Sequence, residues 1–539
     1  MKQNTKNIID DSQIPEYVTH VTETIQNAGF EVFLVGGCVR DLIMSEVHNE
    51  YKNRKIPKDW DITTSAKPEE IIPLFDKTIY ENKFGTVGVC IPIVTCETEK
   101  RESGVQNNTS VDNLANNPVN KGIVTCETKY HILEVTPYRI EAKYTDNRHP
   151  DDLMFSDKIE DDLKRRDFTI NSLAYNPNNG HFVDLYKGQE DIKDKVIRAV
   201  GNPNDRFQED ALRMLRAIRF STELNFAISY DTMQAIGKNS KLIKNISFER
   251  IRDEFIKIIM SDNPVSGIAL LQKLNILKYI IPELEEGIGC EQKGAHIYDV
   301  WEHLLHALDH AANKGWSLEI RLAALFHDIG KPRTRRWDGT KAGGEGKYTF
   351  YGHEVIGERM ARQILERLRL PQKSSDLILK LIRGHMFFSD TETITLSAVR
   401  RVIQNVGKEH IWELMNVREC DRVGMKKKEA PFRLRKYHAM IEEVLHDPIS
   451  VGQLAIDGKY MIEVLHMKPG PRMGWILNAL LEEVLDDPTK NTKEHLSELI
   501  SSLDILGNVE LKTLGERGKE KKDKLEEEEI DKLHKKHRV

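Results

Sequence analysis

The sequence lacks a long hydrophobic run, a paired cysteine motif and an excess of basic residues, and each absence excludes a class of protein. Among its 539 residues, no apolar stretch comes near the length that a membrane-spanning helix needs. The six cysteines have no CxxC spacing, so we expect reduced thiols and neither a disulfide framework nor a zinc knuckle. The formal net charge of −6 excludes a generally basic nucleic-acid-binding protein, so any contact with RNA must be local.

The first residues lack the apolar segment and small-residue cleavage site of a secretory signal, so we expect a soluble, cytoplasmic protein. The chain is too long for one ordinary core and should form three or four modules. Local basic clusters are present in KRRDFTIN, LRMLRAIRF and VGMKKKEAPFRLRKYH. Such clusters can neutralise phosphates along one groove, although a charged run can also be only a solvated face.

Periodicity predicts a mixed α/β module followed by helices. The strand EVFLVGG leads through a Gly-Gly turn into a helix, and further strands are predicted at DWDITTS, TVGVCIPIV and YHILEVTPYR. From about residue 205 the apolar positions recur with helical spacing, which predicts an essentially all-α remainder.

Three segments depart from this pattern. The hexapeptide IVTCET occurs at residues 93–98 and again at 123–128, which indicates a tandem duplication that lengthens a hairpin. The Asn-rich stretch between the copies should be loosely held and carry no chemistry. The last segment, GERGKEKKDKLEEEEIDKLHKKHRV, is almost wholly charged, which predicts a frayed helix or a disordered tail.

Asp59 and Asp61 alternate along a predicted strand, so both carboxylates should point to one face, with Trp60 turned to the other. Carboxylate oxygens suit Mg²⁺, so the pair predicts a magnesium site. Glu134, in the predicted strand EVTPYR, is the candidate for a third carboxylate if that strand lies beside the first. Pro137 in the same strand has no amide donor, which predicts an edge strand or a bulge and puts the placement of Glu134 in question.

Two glycines upstream of this pair favour nucleotide binding. Gly36 and Gly37 would let the backbone approach a triphosphate, and Arg40 could pair with it bidentately. The order of a GG turn, a short gap and then DxD on the next strand resembles the signature of the polymerase β-type nucleotidyltransferases.

The string YRIEAKYTDNRHPDDLMFSDKIEDDLKRRDFTINSLAYN resembles the flexible loop and ribose-recognition motif of class II CCA-adding enzymes and bacterial poly(A) polymerases. The resemblance implies that Arg166 and Asp167 contact the ribose and phosphates of the incoming nucleotide. It also implies a loop that moves during the switch from C to A addition, containing Tyr144, Arg148, His149 and Pro150. The resemblance covers about residues 30–260 and returns in GPRMGWILNALLEEVLDDP, which is similar to the tail region that grips tRNA.

The predicted helix EDALRMLRAIRF places Asp210, Arg213, Arg216 and Arg219 at helical spacing, so one face carries an acid and several guanidinium groups. An Asp acceptor beside an Arg donor can satisfy the Watson–Crick edges of C and A and leave groups unpaired against U and G. The resemblance implies this template role for Asp210 and Arg213, with Arg216 and Arg219 nearer the triphosphate.

A second set of metal-ligand residue types follows at helix-length intervals: His303, His327, Asp328, His353, His385 and Asp421. Imidazole and carboxylate ligands suit Mn²⁺, Fe, Ni²⁺ or Co²⁺, and the number of histidines would permit a second ion. The order resembles an HD phosphohydrolase domain, which implies metal-dependent hydrolysis of phosphoesters and a phosphate contact for Lys331. Such a scaffold can also persist as a structural or RNA-binding module.

Together these features predict a multidomain protein with an α/β nucleotidyltransferase head of the polymerase β type, followed by an all-α neck, body, HD domain and tail. The predicted boundaries are the head at 12–177 with the Asn-rich insertion at about 97–122, the neck and body at 178–290, the HD domain at 291–430, the helical tail at 431–512 and the charged tail at 513–539.

The resemblance implies template-independent, two-metal addition or repair of the CCA end of tRNA from CTP and ATP, with no protein partner and no membrane involved. Poly(A) polymerase, an A-adding enzyme, and an HD nucleotide hydrolase with a regulatory head stay open as alternatives. The stretch ENKFGTVGV resembles the CCA-adding pattern more than the polyadenylating one, and the loop with RHP argues against an enzyme that adds only CC.

Overall fold

The computed structural model divides into two compact units. The first comprises Met1–Glu285 with Arg367–Arg369, and the second comprises Glu286–Glu366 with Leu370–Val539. The structure describes residues 9–48, 51, 57, 59–81, 85–98, 124–141, 153–292, 297–339, 347–387, 394–424, 431–445 and 454–537. Residues 99–122 of the predicted Asn-rich insertion lie outside the described residues, as do Tyr144, Arg148, His149 and Pro150.

A seven-stranded mixed sheet lies in the first unit. Its strands are β1 (Val32–Val35), β2 (Asp61–Thr64), β3 (Thr78–Glu81), β4 (Thr86–Thr98), β5 (Val124–Pro137), β8 (Leu173–Asn176) and β9 (His181–Asp184). They follow the order β3-β4-β5-β2-β1-β8-β9, with β2 parallel to β5 and the other neighbours antiparallel. The remaining strands of this region, β6 (Arg139–Glu141) and β7 (Leu153–Phe155), pair with each other.

Helices and buried side chains cover the middle of this sheet. The helices are α1 (Glu16–Asn27), α2 (Gly37–Val47), α3 (Pro68–Ile71), α4 (Ile159–Lys164) and α5 (Gly188–Lys193). All four residues of β1 are buried, as expected for a central strand covered on both faces. Phe33 and Val35 pack with Tyr138, Ile159 and Leu163, so one apolar cluster joins β1 to α4.

The β4–β5 hairpin confirms the predicted effect of the duplicated hexapeptide. Its register pairs Val94 with Thr128 and Thr98 with Val124, so the two copies lie antiparallel to each other. Nearer the centre of the sheet, Val87 pairs with Val135 in the same continuous register. The duplication therefore lengthens both strands without disturbing the pairing beside β2.

The expectation that Pro137 marks an edge strand or a bulge is wrong. β5 lies between β4 and β2, and Pro137 is its last residue, in register with Thr64. The N–H of Tyr138 donates to the carbonyl of Thr64 at 2.7 Å. Because successive N–H groups point to opposite sides of a strand, the nitrogen of Pro137 points toward β4, which begins only at Thr86. The proline therefore removes no hydrogen bond from either ladder.

The rest of the first unit is helical apart from the short strands β10 (Val196–Ile197) and β11 (Ala227–Ile228). Its helices are α6 (Pro203–Glu209), α7 (Leu212–Leu224), α8 (Tyr230–Asn239), α9 (Phe248–Met260), α10 (Pro264–Lys273), α11 (Leu277–Ile280) and α12 (Pro282–Glu285). A Cβ at Gly267 of α10 would come 2.4 Å from Ile258 and 2.9 Å from Thr222. This glycine allows α10 to pack closely against α7 and α9.

The second unit begins with helices and one hairpin. The helices are α13 (Val300–Asn313), α14 (Leu318–Phe326), α15 (Lys331–Thr334), α16 (His353–Arg367), α17 (Gln372–Gly384), α18 (Leu396–Val406) and α19 (Ile411–Asp421). The hairpin pairs β12 (Arg336–Asp338) with β13 (Lys347–Thr349). Residues 320–326 of α14 are all buried, because α13, α17 and α19 surround this helix.

The end of the chain does not match the expected charged tail. Its helices are α20 (Pro431–Leu445), α21 (Gly458–Glu463), α22 (Pro471–Asp486), α23 (Lys493–Leu503) and α24 (Asn508–His537). A Cβ at Gly515 would lie 2.8 Å from Trp475, and one at Gly518 would lie 2.1 Å from the carbonyl oxygen of Asn478. Arg517 also pairs with Glu482 at 2.9 Å. Close packing and ion pairing therefore hold these turns against α22, so the expectation of a frayed or disordered segment is wrong for them.

The architecture confirms the predicted fold class, an α/β head followed by a mainly helical remainder. Among the described residues, no helix combines the length and the apolar character that crossing a bilayer would require.

Candidate nucleotide and metal sites

Gly36 forms the turn between β1 and α2 in a conformation that favours glycine. Its φ is 78° and its ψ is −131°, where residues with a Cβ are strained. A Cβ here would lie 3.0 Å from Nη1 of Arg166 and 3.5 Å from Oδ2 of Asp61. Gly37 begins α2, whose first amide groups have no acceptor within the helix. The turn therefore brings helix amides, a guanidinium and a carboxylate together.

Asp59 and Asp61 are exposed, whereas only 4% of the surface of Trp60 is accessible. This alternation confirms the predicted orientation of the three side chains. Partial desolvation of the Asp61 carboxyl at the cavity wall raises its pKa, a rise that Arg166 opposes and Asp59 increases. Asp59 and Asp61 together form a pair of oxygen donors whose charge a divalent cation would stabilise.

Glu134 lies beside Asp61, because β2 and β5 pair in parallel with these two residues in register. Residues in register point to the same face of a sheet, and both of these are exposed. The prediction that the EVTPYR strand lies next to DWD is therefore confirmed. Glu134 is not among the described residues that line the cavity next to Asp61, so its part in a metal site stays a prediction.

One cavity of about 730 Å³ in the first unit contains Asp59 and Asp61 together with the described residues that the sequence singled out for nucleotide binding. Its lining consists of Gly36, Gly37, Cys38, Arg40, Asp41, Pro57, Asp59, Asp61, Arg165, Arg166, Asp167, Asn171, Asp210, Leu212, Arg213, Arg216, Arg219 and Arg250. The lining contains seven arginines and five aspartates, whereas the net charge of the whole chain is −6. The basic excess is thus local and suits an anionic ligand such as a triphosphate.

Asp167 is the centre of a buried hydrogen-bond network at the cavity wall. Its carboxylate accepts hydrogen bonds from Nε of Arg216 at 2.7 Å, from Nδ2 of Asn171 at 3.1 Å and from the N–H of Phe168 at 2.8 Å. Oδ1 of Asn171 accepts from Nη1 of Arg40 at 2.7 Å. Burial alone would raise the pKa of Asp167, but Arg216 and Asn171 outweigh it and lower the pKa to about 2. The charged carboxylate therefore orients two guanidinium groups.

Asp162, which the sequence reasoning missed, anchors two neighbouring arginines from α4. The buried carboxylate accepts from Nη2 of Arg165 at 2.6 Å and from Nη2 of Arg166 at 3.0 Å. Burial favours a higher pKa, but the two arginines lower the pKa of Asp162 below its usual value. An acid three and four residues before two arginines was a recognisable signal. The pairing holds Arg166 next to Gly36.

The prediction that one helix carries Asp210 and Arg213 is wrong. α6 ends at Glu209, Asp210 is extended with φ −140° and ψ 105°, and α7 begins at Leu212. Oδ1 of Asp210 accepts from the N–H of Leu212 at 3.0 Å, which favours this break over a continuous helix. Oδ2 accepts from Nη2 of Arg250 at 2.7 Å, and Arg250 is a cavity residue that the sequence reasoning missed.

Acidic side chains hold the arginines of α7 in place. Nη1 of Arg213 donates to Glu209 at 2.6 Å, and Nε of Arg219 donates to Glu254 at 2.6 Å. The guanidinium of Arg219 also lies 3.9 Å from the ring centre of Phe220. These contacts order the arginine donors before any ligand binds, which lowers the entropy lost on binding.

The HD-like residues of the second unit form two clusters that share Asp328. In the first cluster, Nε2 of His303 and Nε2 of His327 each lie 3.3 Å from Oδ2 of Asp328. The same two nitrogens lie 3.7 and 3.5 Å from Oδ1 of Asp421. Two imidazoles and two carboxylates therefore converge on a space of the size that one ion occupies.

In the second cluster, Nε2 of His353 lies 3.1 Å from Oδ1 of Asp328, and Nε2 of His385 lies 3.7 Å from the same oxygen. The two imidazole nitrogens are 3.3 Å apart. Asp328 is 1% exposed, yet neither of its oxygens has a hydrogen bond of good geometry. A buried carboxylate in this state, surrounded by imidazoles, fits metal ions on both sides of Asp328.

The backbone orients three of the imidazole rings. Nδ1 of each ring lies within hydrogen-bond distance of the carbonyl oxygen three residues earlier: His327 with Ala324 at 2.8 Å, His353 with Phe350 at 2.7 Å, and His385 with Ile382 at 2.6 Å. A proton on Nδ1 leaves the lone pair of Nε2 for a metal, which is the usual outer-shell arrangement of metal-binding histidines.

Charges within the clusters shift their pKa values strongly. Burial opposes charge on His327, but Asp328 and Asp421 outweigh it and raise the pKa of His327 to about 10. Burial would raise the pKa of Asp328, but Lys331 and His327 hold it well below its usual range. Nζ of Lys331 lies 2.5 Å from Asp328 and donates to Gln292 at 2.6 Å, a partner that the sequence reasoning missed. Protons therefore compete with metal ions for this site.

Comparison with known proteins shows which family contains both of these sites in one chain. The chain matches the models for "Poly A polymerase head domain" at residues 32–112 and 93–198, "Probable RNA and SrmB-binding site of polymerase A" at 225–288, and "HD domain" at 300–426. It is 30% identical over 487 residues to the CCA-adding enzyme of Lactobacillus helveticus, an alignment that covers 90% of this chain and 96% of that one. The chain belongs to the CCA-adding enzyme family.

A further relative and two solved structures match the chain over different shares of its length. The A-adding tRNA nucleotidyltransferase of Deinococcus radiodurans is 34% identical over 336 residues, covering 60% of this chain and 75% of that one. The crystal structure of the Bacillus stearothermophilus CCA-adding enzyme in complex with CTP is 26% identical with a TM-score of 0.55, and the match covers 90% and 96% of the two chains. An apo form of a CCA-adding enzyme, 18% identical with a TM-score of 0.52, supports the fold alone.

Proposed function

We propose that this family member adds the terminal CCA of tRNA from CTP and ATP without a nucleic-acid template. The observation that carries the proposal is the single cavity in which the Gly36 turn, Asp59 with Asp61, and the arginine-rich wall meet. Relatives that align along most of the chain are CCA-adding enzymes, and one relative has been crystallised with CTP. A poly(A) polymerase or an A-adding enzyme is the alternative, the latter favoured by the A-adding relative.

Asp59 and Asp61, with Glu134 beside them, would hold Mg²⁺, which supplies activation of the tRNA 3′-hydroxyl and charge neutralisation on the leaving pyrophosphate. In this proposal the hydroxyl oxygen bonds to the α-phosphorus while the bond to pyrophosphate breaks. The α2 amides at Gly37 and the guanidinium of Arg166 bind the triphosphate. Arg216 and Arg219 of α7 bind the same anion and lower its repulsion of the incoming RNA.

Selection of C and A is proposed for Asp210 and Arg213. The carboxylate would accept from the exocyclic amino group that C and A share, and the guanidinium would donate to a ring nitrogen or carbonyl. Arg250 and the N–H of Leu212 each occupy one oxygen of Asp210, and every carboxylate oxygen has a second lone pair for a base. Variants Asp210→Ala and Arg213→Ala should therefore admit UTP or GTP.

We propose a division of the chain in which two of the four segments contact RNA. We assign residues 12–177 to the nucleotidyltransferase head, 178–290 to recognition of nucleotide and RNA, 291–430 to the HD domain and 431–512 to the tail that grips tRNA. The match at 225–288 to an RNA-binding model supports the second of these.

The decisive experiment incubates the protein with tRNA that lacks its 3′ end, Mg²⁺ and each nucleotide singly or combined, and reads product length on a sequencing gel. Addition that stops after C, C and A supports the proposal. Asp59→Asn and Asp61→Asn should each lose about 100-fold or more in rate. Asp76→Asn removes an exposed acid of the same unit and is the matched control. Long A tails, or a single A added only to tRNA ending in CC, would replace the proposal with one of its alternatives.

We propose a second activity for the HD site, the metal-dependent hydrolysis of phosphoesters such as 2′,3′-cyclic phosphates at RNA ends. The observation that favours it is the convergence of four Nε2 atoms on the buried carboxylate of Asp328. Mn²⁺, Fe, Ni²⁺ or Co²⁺ would suit these ligands and lower the pKa of a bound water. Hydrolysis would add a water oxygen to phosphorus, release one ribose oxygen and transfer a proton to that oxygen. Lys331 would neutralise the phosphate.

Hydrolysis of an RNA with a 2′,3′-cyclic phosphate end tests this second activity. Each metal is added in turn to chelator-treated protein, and phosphate-end chemistry is read by gel mobility. We expect turnover with at least one of the four metals and its loss in Asp328→Asn. His20→Gln, which removes an exposed histidine of α1, should behave as the unchanged protein. Turnover that survives in Asp328→Asn would assign the hydrolysis to another protein or another site.

A further inference from the structure

Two aromatic side chains pair on the β12–β13 hairpin of the second unit, Trp337 exposed and Tyr348 half-buried. Trp337 and Tyr348 are in register across the two strands, with ring centroids 4.8 Å apart and planes at 66°. The guanidinium of Arg335 lies 3.7 Å from the ring centre of Tyr348. Trp337 is 53% exposed although tryptophan is highly buried on average, and Tyr351, just after the hairpin, is 85% exposed. We call Arg335, Trp337 and Tyr348 the aromatic platform.

The platform is continuous with the HD site. Trp337 and Tyr348 are in register, so their side chains share one face of the hairpin. Arg335 directly precedes β12 and contacts Tyr348 on that face, and Phe350 directly follows β13. The ring of Phe350 lies 5.7 Å from Nζ of Lys331, which itself lies 2.5 Å from Asp328.

The hairpin is also anchored at both ends to elements of that site. α15, which begins at Lys331, leads into the first strand. After the second strand, the carbonyl of Phe350 lies 2.7 Å from Nδ1 of His353. The aromatic face therefore borders the Lys331 side of the metal clusters.

We propose that the platform stacks the terminal nucleobase of an RNA 3′ end while the phosphate of that end reaches Lys331 and the metal ligands. The inference rests on the proposed phosphohydrolase and adds a nucleobase-binding surface for RNA ends that carry a 3′-phosphate or a 2′,3′-cyclic phosphate. Unstacked terminal bases bind to aromatic rings and to guanidinium planes, and Trp337, Tyr348 and Arg335 offer both. Arg335 and Arg336 add positive charge for the preceding phosphates, whereas inorganic phosphate would gain nothing from the rings.

Base-dependent hydrolysis tests the platform. The substrates are a short RNA with a 2′,3′-cyclic phosphate end and the same RNA whose last nucleotide lacks its base. Trp337→Ala should lower kcat/KM for the first substrate about 5- to 100-fold, from loss of stacking, and leave the second unchanged. Trp337→Phe should retain most of the wild-type value. Trp412→Ala, at another exposed tryptophan of the same unit, is the control and should change neither.

Three results of that assay would overturn the proposal. An unchanged kcat/KM in Trp337→Ala excludes stacking, and an equal loss on both substrates assigns Trp337 a merely structural role. With free 2′,3′-cyclic AMP as a third substrate, a loss confined to it, with RNA unaffected, assigns the surface to free nucleotides.

Photocrosslinking separates this inference from the proposed hydrolysis. Chelator-treated protein is irradiated with RNA ending in 4-thiouridine 3′-phosphate, and the crosslinked peptide is identified by mass spectrometry. We expect the peptide that carries Trp337 or Tyr351, with the crosslink lost in Trp337→Ala. A crosslink found only elsewhere overturns the platform. If the wild-type protein hydrolyses no cyclic phosphate, the phosphohydrolase proposal fails, and the crosslink still decides where the RNA end binds.

Discussion

At Gly36 a single hydrogen atom in place of a side chain leaves room for Arg166 and Asp61. Gly36→Ala should destabilise the first unit by about 1–3 kcal/mol, because alanine is strained at a φ of 78°. The rate of nucleotide addition should fall by more than the loss of stability alone explains. The new methyl group would lie 3.0 Å from Nη1 of Arg166 and displace a group that contacts the nucleotide in our proposal. Urea unfolding and the rate of CTP incorporation measure the two effects.

Gly37→Ala is the matched comparison for that variant. A Cβ at Gly37 would meet Arg40 at 3.6 Å, an ordinary contact, and the backbone there is helical. The loss of both stability and addition should therefore be smaller than at Gly36. Equal losses at the two positions would show that the left-handed turn is not what makes Gly36 necessary.

The low pKa of Asp167 makes a pH-dependent contribution to stability. A carboxyl whose pKa falls from 3.8 unfolded to about 2 folded stabilises the protein above pH 4 and loses that contribution as the pH falls toward 2. The difference corresponds to about 2 kcal/mol. Asp167→Asn should therefore be less stable than the wild type at pH 7, and the gap should narrow below pH 4. Urea unfolding at pH 7, 5 and 3.5, with Asp76→Asn as control, measures it; a gap that does not change with pH contradicts the assignment.

At the scale of elements, Gly330 and Gly357 determine how closely α16 packs beside His327 and Asp328. A Cβ at Gly330 would lie 2.3 Å from the carbonyl oxygen of His353 and 2.6 Å from the nitrogen of Gly357. Both are backbone atoms, so α16 would have to move. Gly330→Ala should destabilise the second unit by about 1–3 kcal/mol. It should also weaken metal binding, because His353 would shift with the helix. Thermal unfolding and metal titration by calorimetry test both.

Gly357→Ala, at the contact between α16 and Gly330, should not lose stability. Its Cβ would meet its nearest neighbours at 3.5 Å, which is ordinary contact. Alanine in a helix is favoured over glycine by about 1 kcal/mol, so this variant should be as stable as the wild type or more stable. If both variants lose stability equally, general crowding rather than the backbone clash at Gly330 explains the effect.

Elements with strong local patterns were predictable, and those set by tertiary contacts were not. Strand alternation predicted the orientation of Asp59 and Asp61. The position of Glu134 was only a hypothesis, because the sequence does not show that β5 pairs with β2. The helix break at Asp210 depends on a side chain bonding to its own backbone and to Arg250. The order in α24 depends on close contacts at Gly515 and Gly518 that no composition reveals. The charged composition alone therefore led to the wrong prediction of a frayed or disordered segment here.

At the scale of the whole molecule, the two candidate sites belong to different compact units. The head cavity lies within Met1–Glu285, and the HD ligands lie within Glu286–Glu366 and Leu370–Val539. Binding of a metal ion to folded protein alone stabilises it by about 2.7 kcal/mol at a concentration 100 times Kd. Mn²⁺ added to chelator-treated protein should therefore raise the Tm of the second unit by roughly 5–10 °C.

Asp328→Asn separates the two sites, because it removes the carboxylate that both metal clusters share. This variant should lose the Mn²⁺-dependent rise in Tm and the hydrolysis of cyclic phosphates, and keep nucleotide addition. Asp61→Asn should lose nucleotide addition and keep both the Mn²⁺-dependent rise in Tm and the hydrolysis of cyclic phosphates, since its carboxylate lines the cavity of the first unit. Calorimetric scans with and without Mn²⁺, run beside the tRNA extension assay, measure all of these quantities. Loss of nucleotide addition in a folded Asp328→Asn protein would instead mean that the HD site acts on the head, and the two activities would then have to be treated as coupled.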